Sequence, residues 1–395
     1  MAQQHTPKGF LFAAADGGFR KRPRKDTTLV LSEQKACAAG LFTLNRFCAA
    51  PVVVGKEILS RHHFVRGILI NSGQANACTG EQGLENCWNT LRLMGEAVGV
   101  CAQEILPAST GVIGEQMDMD KWAKVVPLLA ADLGKSPAQA FAEAIMTTDA
   151  FPKISSRVVQ LSGGEVRLMV MAKGAGMICP NMATMLAVAL CDADVEHTVW
   201  QDLFKRAVGI TFNRVTVDGD TSTNDTIYGL ANGASGVKVG KEDIPALLEA
   251  LTAVLADVSY MLVQDGEGAT KVLHIRVEGA ESDLDAEKVA RTIGHSPLVK
   301  TAMYGRDANW GRIVCAIGRS GAVFDPMHVT LKLCGYEIFA SGQPVEFDFD
   351  SVLEPLLKER DLYIDVILGS GSGVYDLKAS DLTHAYIDCN ASYRS

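Results

Sequence analysis

The chain has 395 residues, 48% of them hydrophobic and 21% charged, enough to bury a large core in one big α/β fold or in two to three domains. A net charge of −9 argues against a nucleic-acid scaffold. No apolar stretch is expected to reach the roughly 20 residues that a membrane-spanning helix needs.

In chain order, the start Met-Ala-Gln-Gln-His has no apolar core of a leader. The basic run Arg20-Lys-Arg-Pro-Arg-Lys25 reads as a solvated turn ahead of a strand over 28–31, an address or a phosphate patch being the alternatives. Residues 51–54 and 66–71 are short β-branched runs and read as strands. Helical periodicity covers 85–98 and 118–133, with acidic residues near each start. Ser136-Pro-Ala-Gln opens another helix, with serine as N-cap and proline in the first turn. Residues 158–161 and 166–172 flank Ser162-Gly-Gly-Glu165 as a hairpin. An apolar run from Met185 to Leu190 reads as a buried strand ending near Asp192. Residues 199–208 form an amphipathic helix, and 244–263 a long apolar one. Segment 323–350 alternates as strands, and a short helix starts at Ser351. Strands and helices thus interleave, predicting a mixed α/β fold with sheets between helix layers.

The ten cysteines are scattered singly without C-x-x-C or framework spacing, as expected of reduced core residues in a cytosolic protein. The one adjacent histidine pair, His62-His63, lacks ligand partners nearby, so no metal site is expected. Asp218-Gly-Asp-Thr-Ser-Thr-Asn-Asp225 imitates a calcium loop but has Thr223 where glycine is needed and Gly229 where glutamate is needed. It reads as a polar loop near the site.

The stretch Lys173-Gly-Ala-Gly-Met-Ile-Cys-Pro-Asn-Met-Ala-Thr184-Met-Leu carries the chemistry. Glycines and a Pro180-Asn181 turn deliver Thr184 to the start of the apolar run, just after the small Ala183. Attack by Thr184 on the Ala183 carbonyl, followed by cleavage, would leave a free amine beside its own hydroxyl. That is a nucleophile and its base in one residue. An α-amine titrates near ~8, so much of it is neutral at physiological pH, and no histidine is required. Read alone, Thr184 is a β-branched residue opening a strand.

The segment from Lys173 to Leu186 resembles the self-cleavage segment of the ornithine acetyltransferases, the arginine-biosynthesis glutamate N-acetyltransferases. The likeness runs nearly end to end. It takes in Thr6-Pro-Lys-Gly-Phe10, Asn71-Ser-Gly-Gln-Ala-Asn-Ala-Cys-Thr-Gly80, Ser109-Thr-Gly-Val-Ile-Gly114 and Met146-Thr-Thr-Asp149. It continues through Asp265-Gly-Glu-Gly-Ala-Thr-Lys271, Asp307-Ala-Asn-Trp-Gly-Arg312 and Asn390-Ala-Ser-Tyr-Arg-Ser395. Ala175 and Cys179 stand where relatives often carry serine and alanine, small-for-small changes that should spare cleavage.

The resemblance implies a four-layer αββα sandwich of the DmpA/ornithine-acetyltransferase-like fold, cleaved into an α-chain (1–183) and a β-chain (184–395). It implies an acyltransferase of arginine biosynthesis in the cytoplasm that needs no metal or organic cofactor. The acetyl group of N2-acetylornithine would pass to Thr184, release ornithine, and then pass to glutamate in a ping-pong cycle. A bifunctional form also using acetyl-CoA, and a self-processing aminopeptidase of the wider fold, are the alternatives. The resemblance makes Thr110 (hydroxyl) and Gly111 (N–H) the oxyanion hole, where the residues alone read as an ordinary loop. It makes Thr147, Lys173, Thr184, Glu267, Asn390 and Ser395 substrate-binding. Lys173 alone reads as a solvated strand-end lysine, and Glu267 as a turn carboxylate. The two are the candidate discriminators between substrates whose side chains differ in sign. The C-terminal end is expected at the active site, the alternative being a last strand over 385–389. Asp307–Arg312 is expected as a structural turn. The assembly implied by the resemblance is a heterotetramer of two α- and two β-chains.

Overall fold

The computed structural model describes residues 4–21, 23–179, 185–346 and 348–391. It divides into two compact units. One runs to Asn213 and resumes over Asp220–Leu262; the other holds Arg214–Gly219 and the described chain from Val263 to Ala391. The strands are β1 Phe10–Ala15, β2 Thr27–Phe42, β3 Phe64–Gln74, β4 Ile105–Val112, β5 Lys153–Leu161, β6 Gly164–Lys173, β7 Leu186–Cys191, β8 Val215–Thr216, β9 Thr226–Ala231, β10 Val272–Ala280, β11 Thr330–Leu333, β12 Tyr336–Ala340, β13 Gln343–Pro344, β14 Asp361–Ile367 and β15 Gly373–Ser380. The helices are α1 Ala50–Arg61, α2 Gly80–Val98, α3 Met119–Asp132, α4 Ala138–Ile145, α5 His197–Gly209, α6 Ile244–Gln264, α7 Asp283–Gly294, α8 Pro297–Tyr304, α9 Trp310–Gly318, α10 Phe349–Leu357 and α11 His384–Asn390. The fold is mixed α/β with two sheets, as expected.

In the first unit the sheet runs β4-β3-β2-β9-β7-β6-β5, with β1 also paired to β2. Strand β2 is long enough to serve two neighbours. Its first half pairs with β1 and β3, its second half with β9, and the register shifts between Leu31 and Ala36. β3 and β4 are parallel and aligned from Gly67↔Ile105 to Gln74↔Val112. β7 is buried at every position, the pattern of a strand covered on both faces. It pairs antiparallel with β6 from Lys173↔Leu186 and parallel with β9. Val54 and Ile58 of α1, Leu91 and Met94 of α2, Trp122 and Leu129 of α3, and Phe141 of α4 join one core with this sheet.

Several local readings change. Residues 51–54 are the first turn of α1, where Pro51 needs no hydrogen-bond donor. Val52 and Val54 are buried while Val53 is exposed, because tertiary burial of one helix face overrides β-branched propensity. Helix α2 starts at Gly80, five residues earlier than the periodicity suggested. Ser136 is not a cap: α4 begins after Pro137, and the Ser136 hydroxyl donates to Asp132 Oδ2 at 2.5 Å. The hairpin is tighter than read, with Leu161 opposite Gly164. The span Lys241–Gln264 is, against expectation, long and apolar enough to cross a membrane by length and composition. Its Leu247, Leu251, Val254, Leu255, Val258 and Leu262 are fully buried, a single face at helical spacing. Asp257 on the same helix accepts from Ser155 Oγ and Arg157 Nη2, both at 2.9 Å. These are the marks of a core helix.

In the second unit the sheet runs β13-β12-β11-β14-β10-β15-β8. β10 is parallel to β14 and antiparallel to β15. Leu362, Ile364 and Val366 of β14 are buried and Tyr363 between them is exposed, so one face is covered. Helices α7, α8 and α9 supply Val289, Ile293, Met303 and Ile317 to that core. The alternating segment 323–350 contains β11 to β13, and its last two residues already belong to α10. Residues 385–389 lie in α11, not in a strand.

Candidate active site

The aligned parallel strands β3 and β4 place Asn71-Ser-Gly-Gln beside Ser109-Thr-Gly-Val, with Ser72 opposite Thr110 and Gly73 opposite Gly111. The Ser109 hydroxyl donates to Asn71 Oδ1 at 2.6 Å, and Asn71 Nδ2 donates to the Gln74 carbonyl at 3.0 Å. Gly111 has φ +132°, and a Cβ there would lie 2.3 Å from the Gly73 carbonyl carbon. Only glycine fits, so the backbone of this strand end stays bare. Asn224 fastens the pair: its Nδ2 donates to the carbonyls of Ala75 (2.6 Å) and Ser109 (2.8 Å). The polar loop at 218–225 therefore contributes a brace to the glycine strands.

Lys173, the last residue of β6, is only 8% exposed, which corrects the solvated reading. Its ammonium donates to Thr110 Oγ1 at 3.2 Å, leaving the hydroxyl proton for another acceptor. Below it lies Asp149. The Asp149 carboxylate accepts from Lys153 Nζ at 2.6 Å, from the Gly174 N–H at 2.6 Å and from the Thr147 N–H at 2.8 Å. The side chains of Asp149 and Lys153 are fully buried. Burial alone would raise the Asp149 pKa; the charges of Lys173 and Lys153 and the hydrogen bonds it accepts from Lys153 and Thr147 outweigh it and hold the carboxyl at about 2. Burial likewise pushes the Lys173 ammonium below the usual lysine range, with Asp149 opposing and Lys153 reinforcing the fall. Thr110, Gly111, Thr147 and Lys173 are thus brought together.

Ala183 and Thr184 lie outside the described residues. The described chain ends at Cys179, which is buried and whose carbonyl accepts from Thr221 Oγ1 at 3.2 Å. It resumes at the buried Met185, and Leu186 pairs with Lys173. Thr184 is therefore two residues from the strand position opposite Lys173.

In the second unit, Asn390 at the end of α11 donates through Nδ2 to Glu267 Oε2 at 2.8 Å. Two of the expected substrate contacts are thus in direct contact with each other. Gly268 has φ +68°, and a Cβ there would approach the Tyr386 nitrogen to 2.6 Å, so α11 sits tight on the Glu267 turn. The Thr383 hydroxyl, which caps α11, donates to the Gly268 carbonyl at 2.8 Å. Ser395 lies outside the described residues. Asn309 caps α9 by accepting from the Arg312 N–H, the structural role expected of that motif.

Arg20, Asp149, Lys153 and Asn224 were missed. Arg20 was assigned to a solvated turn, yet its Nε donates to Ser72 Oγ at 3.1 Å and its Nη2 to the Met146 carbonyl. The Asp149–Lys153 spacing was visible, but nothing local showed it would be buried. None of the ten cysteines forms a disulfide, and Cys78, Cys101 and Cys315 are exposed rather than in the core. Among the described residues no cluster of three His, Cys, Asp or Glu side chains could hold a metal ion.

The ArgJ family model matches residues 11–395. The arginine biosynthesis bifunctional protein ArgJ of Nitratidesulfovibrio vulgaris is 62% identical over 390 residues, covering 99% of both chains. That of Synechocystis is 42% identical over 399 residues, covering 98% of this chain and 97% of the relative. A crystal structure of arginine biosynthesis bifunctional protein ArgJ from Bacillus halodurans is 38% identical, with a TM-score of 0.50, covering 53% of this chain and all of that one. With the family model matched almost end to end and a relative 62% identical over nearly the whole chain, this chain belongs to the ArgJ family of arginine-biosynthesis acetyltransferases.

Proposed function

We propose that the chain cleaves itself between Ala183 and Thr184 and then carries acetyl groups from N2-acetylornithine to glutamate. The Thr184 Oγ attacks the Ala183 carbonyl, the peptide C–N bond breaks as the Thr184 amine takes up the proton, and water then hydrolyses the resulting ester, releasing the Ala183 carboxylate and restoring the Thr184 hydroxyl. In the first half-cycle Thr184 Oγ attacks the acetyl carbonyl of N2-acetylornithine while its proton passes to the Thr184 amine. The oxyanion is met by the Thr110 hydroxyl and the Gly111 N–H. The C–N bond breaks, the proton moves to the departing α-amine, and ornithine leaves an acetyl-Thr184 ester. In the second half-cycle the neutral amine of glutamate attacks that ester, and Thr184 Oγ leaves with its proton restored.

Lys173 is assigned to a substrate carboxylate, Glu267 to a cationic side chain or α-ammonium group, and Thr147, Asn390 and Ser395 to further substrate polar groups. The observation that carries this reading is the Lys173 ammonium on Thr110 Oγ1, one strand from the position that leads to Thr184. No group beyond these side chains is invoked. The relatives' description as bifunctional favours a second donor, for which acetyl-CoA is the candidate. We place the enzyme in the cytoplasm, in keeping with ten cysteines that form no disulfide, as an assembly of two copies of each fragment.

The test joins mass to activity. Purified protein should show chains of residues 1–183 and 184–395 and should transfer acetyl from N2-acetylornithine to glutamate without coenzyme A. Thr184→Ala should remain whole and inactive. A fully active single-chain wild type would sink the mechanism.

A further inference from the structure

We propose that Asp149 is a positioning residue for acetyl transfer, because its buried carboxylate fixes Thr147, the Lys173–Gly174 strand end and the Lys153 ammonium at once. The proposal rests on the acetyl-transfer reading given above.

The geometry shows what Asp149 connects. One oxygen, Oδ1, takes the Gly174 N–H at 2.6 Å and Lys153 Nζ at 2.6 Å. The other, Oδ2, takes the Thr147 N–H at 2.8 Å, with the Thr147 hydroxyl at 3.5 Å. Gly174 follows Lys173 directly and has φ +151°, beyond the end of β6. Its N–H has no strand partner in β7, whose pairing begins at Lys173↔Leu186. The carboxylate therefore ends the strand at a set point and aims Lys173 at Thr110 Oγ1. Since an ammonium only donates, the Thr110 hydroxyl must accept there and can donate only elsewhere, which is what an oxyanion donor requires. A carboxylate so placed also keeps a buried ammonium charged. The charged groups facing Lys173 are Asp149, Lys153, Asp225 and Arg20, and Asp149 is the strongest that favours its charge.

Asp149→Asn keeps the size and can keep the N–H bonds on one oxygen, but it removes the charge. A residue that merely filled space would alter stability and leave the pH profile in place. A positioning residue predicts two changes in cleaved, folded variant. The first is a fall in kcat of about 10²-fold, the scale of a misplaced reacting group, with a smaller change in KM. The second is an alkaline limb of the kcat profile displaced to lower pH by about 1–3 units, as Lys173 loses its opposite charge. Lys153→Met should displace that limb the other way, because Lys153 is the cation pushing Lys173 down. An Asp149→Asn enzyme with wild-type kcat and an unmoved alkaline limb would overturn the proposal. If Asp149→Asn does not fold, Lys153→Met decides it: a limb that stays in place or moves down overturns it. Each assay includes wild type with N2-acetylornithine and glutamate. An inactive wild type indicts the acetyl-transfer reading, whereas an active wild type with unresponsive variants indicts Asp149 alone.

Discussion

Glu267 is flanked by two glycines and, among the described residues, is held by one side-chain amide, Asn390 Nδ2. One carboxylate oxygen is thus oriented while the other is left to face a cation. If that cation is the ornithine side chain, Glu267→Gln should weaken use of N2-acetylornithine and leave self-cleavage intact. Removing one partner of a desolvated charge pair costs about 2 kcal/mol or more, so kcat/KM should fall at least ~30-fold. Steady-state kinetics on the cleaved variant checks this, and unchanged kinetics would reduce Glu267 to a turn residue. The contrast with Lys173 is instructive. Lys173 is locked by neighbours that are themselves buried, whereas Glu267 is half-buried and its orientation depends on one helix. The two candidate discriminators therefore differ in how far mutation elsewhere can disturb them.

Helix α11 is the element on which that orientation depends. It is a helix because Thr383 caps it, accepting from the Tyr386 N–H at 3.3 Å, and because Asp381 anchors the chain just before it through the N–H groups of Thr270 and Lys271. Gly268→Ala would place a methyl against the Tyr386 backbone at a left-handed φ, a strained position for any L-residue. We expect this change to lift α11 from the Glu267 turn and lower kcat/KM for N2-acetylornithine by roughly tenfold or more. Cleavage, measured by denaturing gel, should be unaffected. A Gly268→Ala enzyme with wild-type kinetics would show that α11 does not set the Glu267 geometry. Fusion of a tag to the C-terminus is expected to act in the same direction, and an N-terminal tag should be tolerated.

At the scale of the whole molecule, the proposed cleavage point and the structural units do not coincide. Residues 1–183 supply β1 to β6 of the first sheet, and β7 and β9 from the remainder are hydrogen-bonded into its middle. β7 is fully buried between β6 and β9, and freeing it would expose apolar surface and unpaired backbone groups. The fragments should therefore co-elute on size exclusion in native buffer and separate only in denaturant. Cleaved protein that falls apart natively would contradict this sheet. Acid should weaken the second unit through His295. Burial, aided by Arg291, Lys300 and Arg319, pushes His295 down from 6.5 to about 4. A folded pKa below the unfolded one means that the unfolded chain takes the proton first. The contribution is whole above about pH 6.5 and is lost as pH falls to 4. Asp149, held at about 2, adds its loss only below the unfolded value of ~3.9. Melting temperatures from pH 7.5 to 4 should fall in wild type and fall less in His295→Gln; equal slopes would remove His295 from the account.

Sequence alone determined the mixed α/β class, most helices and strands, and the motifs of the site, because hydrophobic period and glycine-bearing turns are local properties. β7, the β5–β6 hairpin and α6 were legible in this way. So was the motif order that places the chain in its family. What it could not determine was which local signal burial would overrule. The valines of 51–54 became a helix because Val54 and Ile58 meet the core, and the apolar run of α6 became an inside face rather than a membrane span. The site shows the same division. Thr110, Gly111, Thr147 and Lys173 were named from their motifs. Arg20, Asp149, Lys153 and Asn224 were not, since each acts across dozens of residues or through a buried charge. A carboxylate's role is set by what surrounds it in space, and only packing of β6 beside the Thr147 loop brings three donors to Asp149.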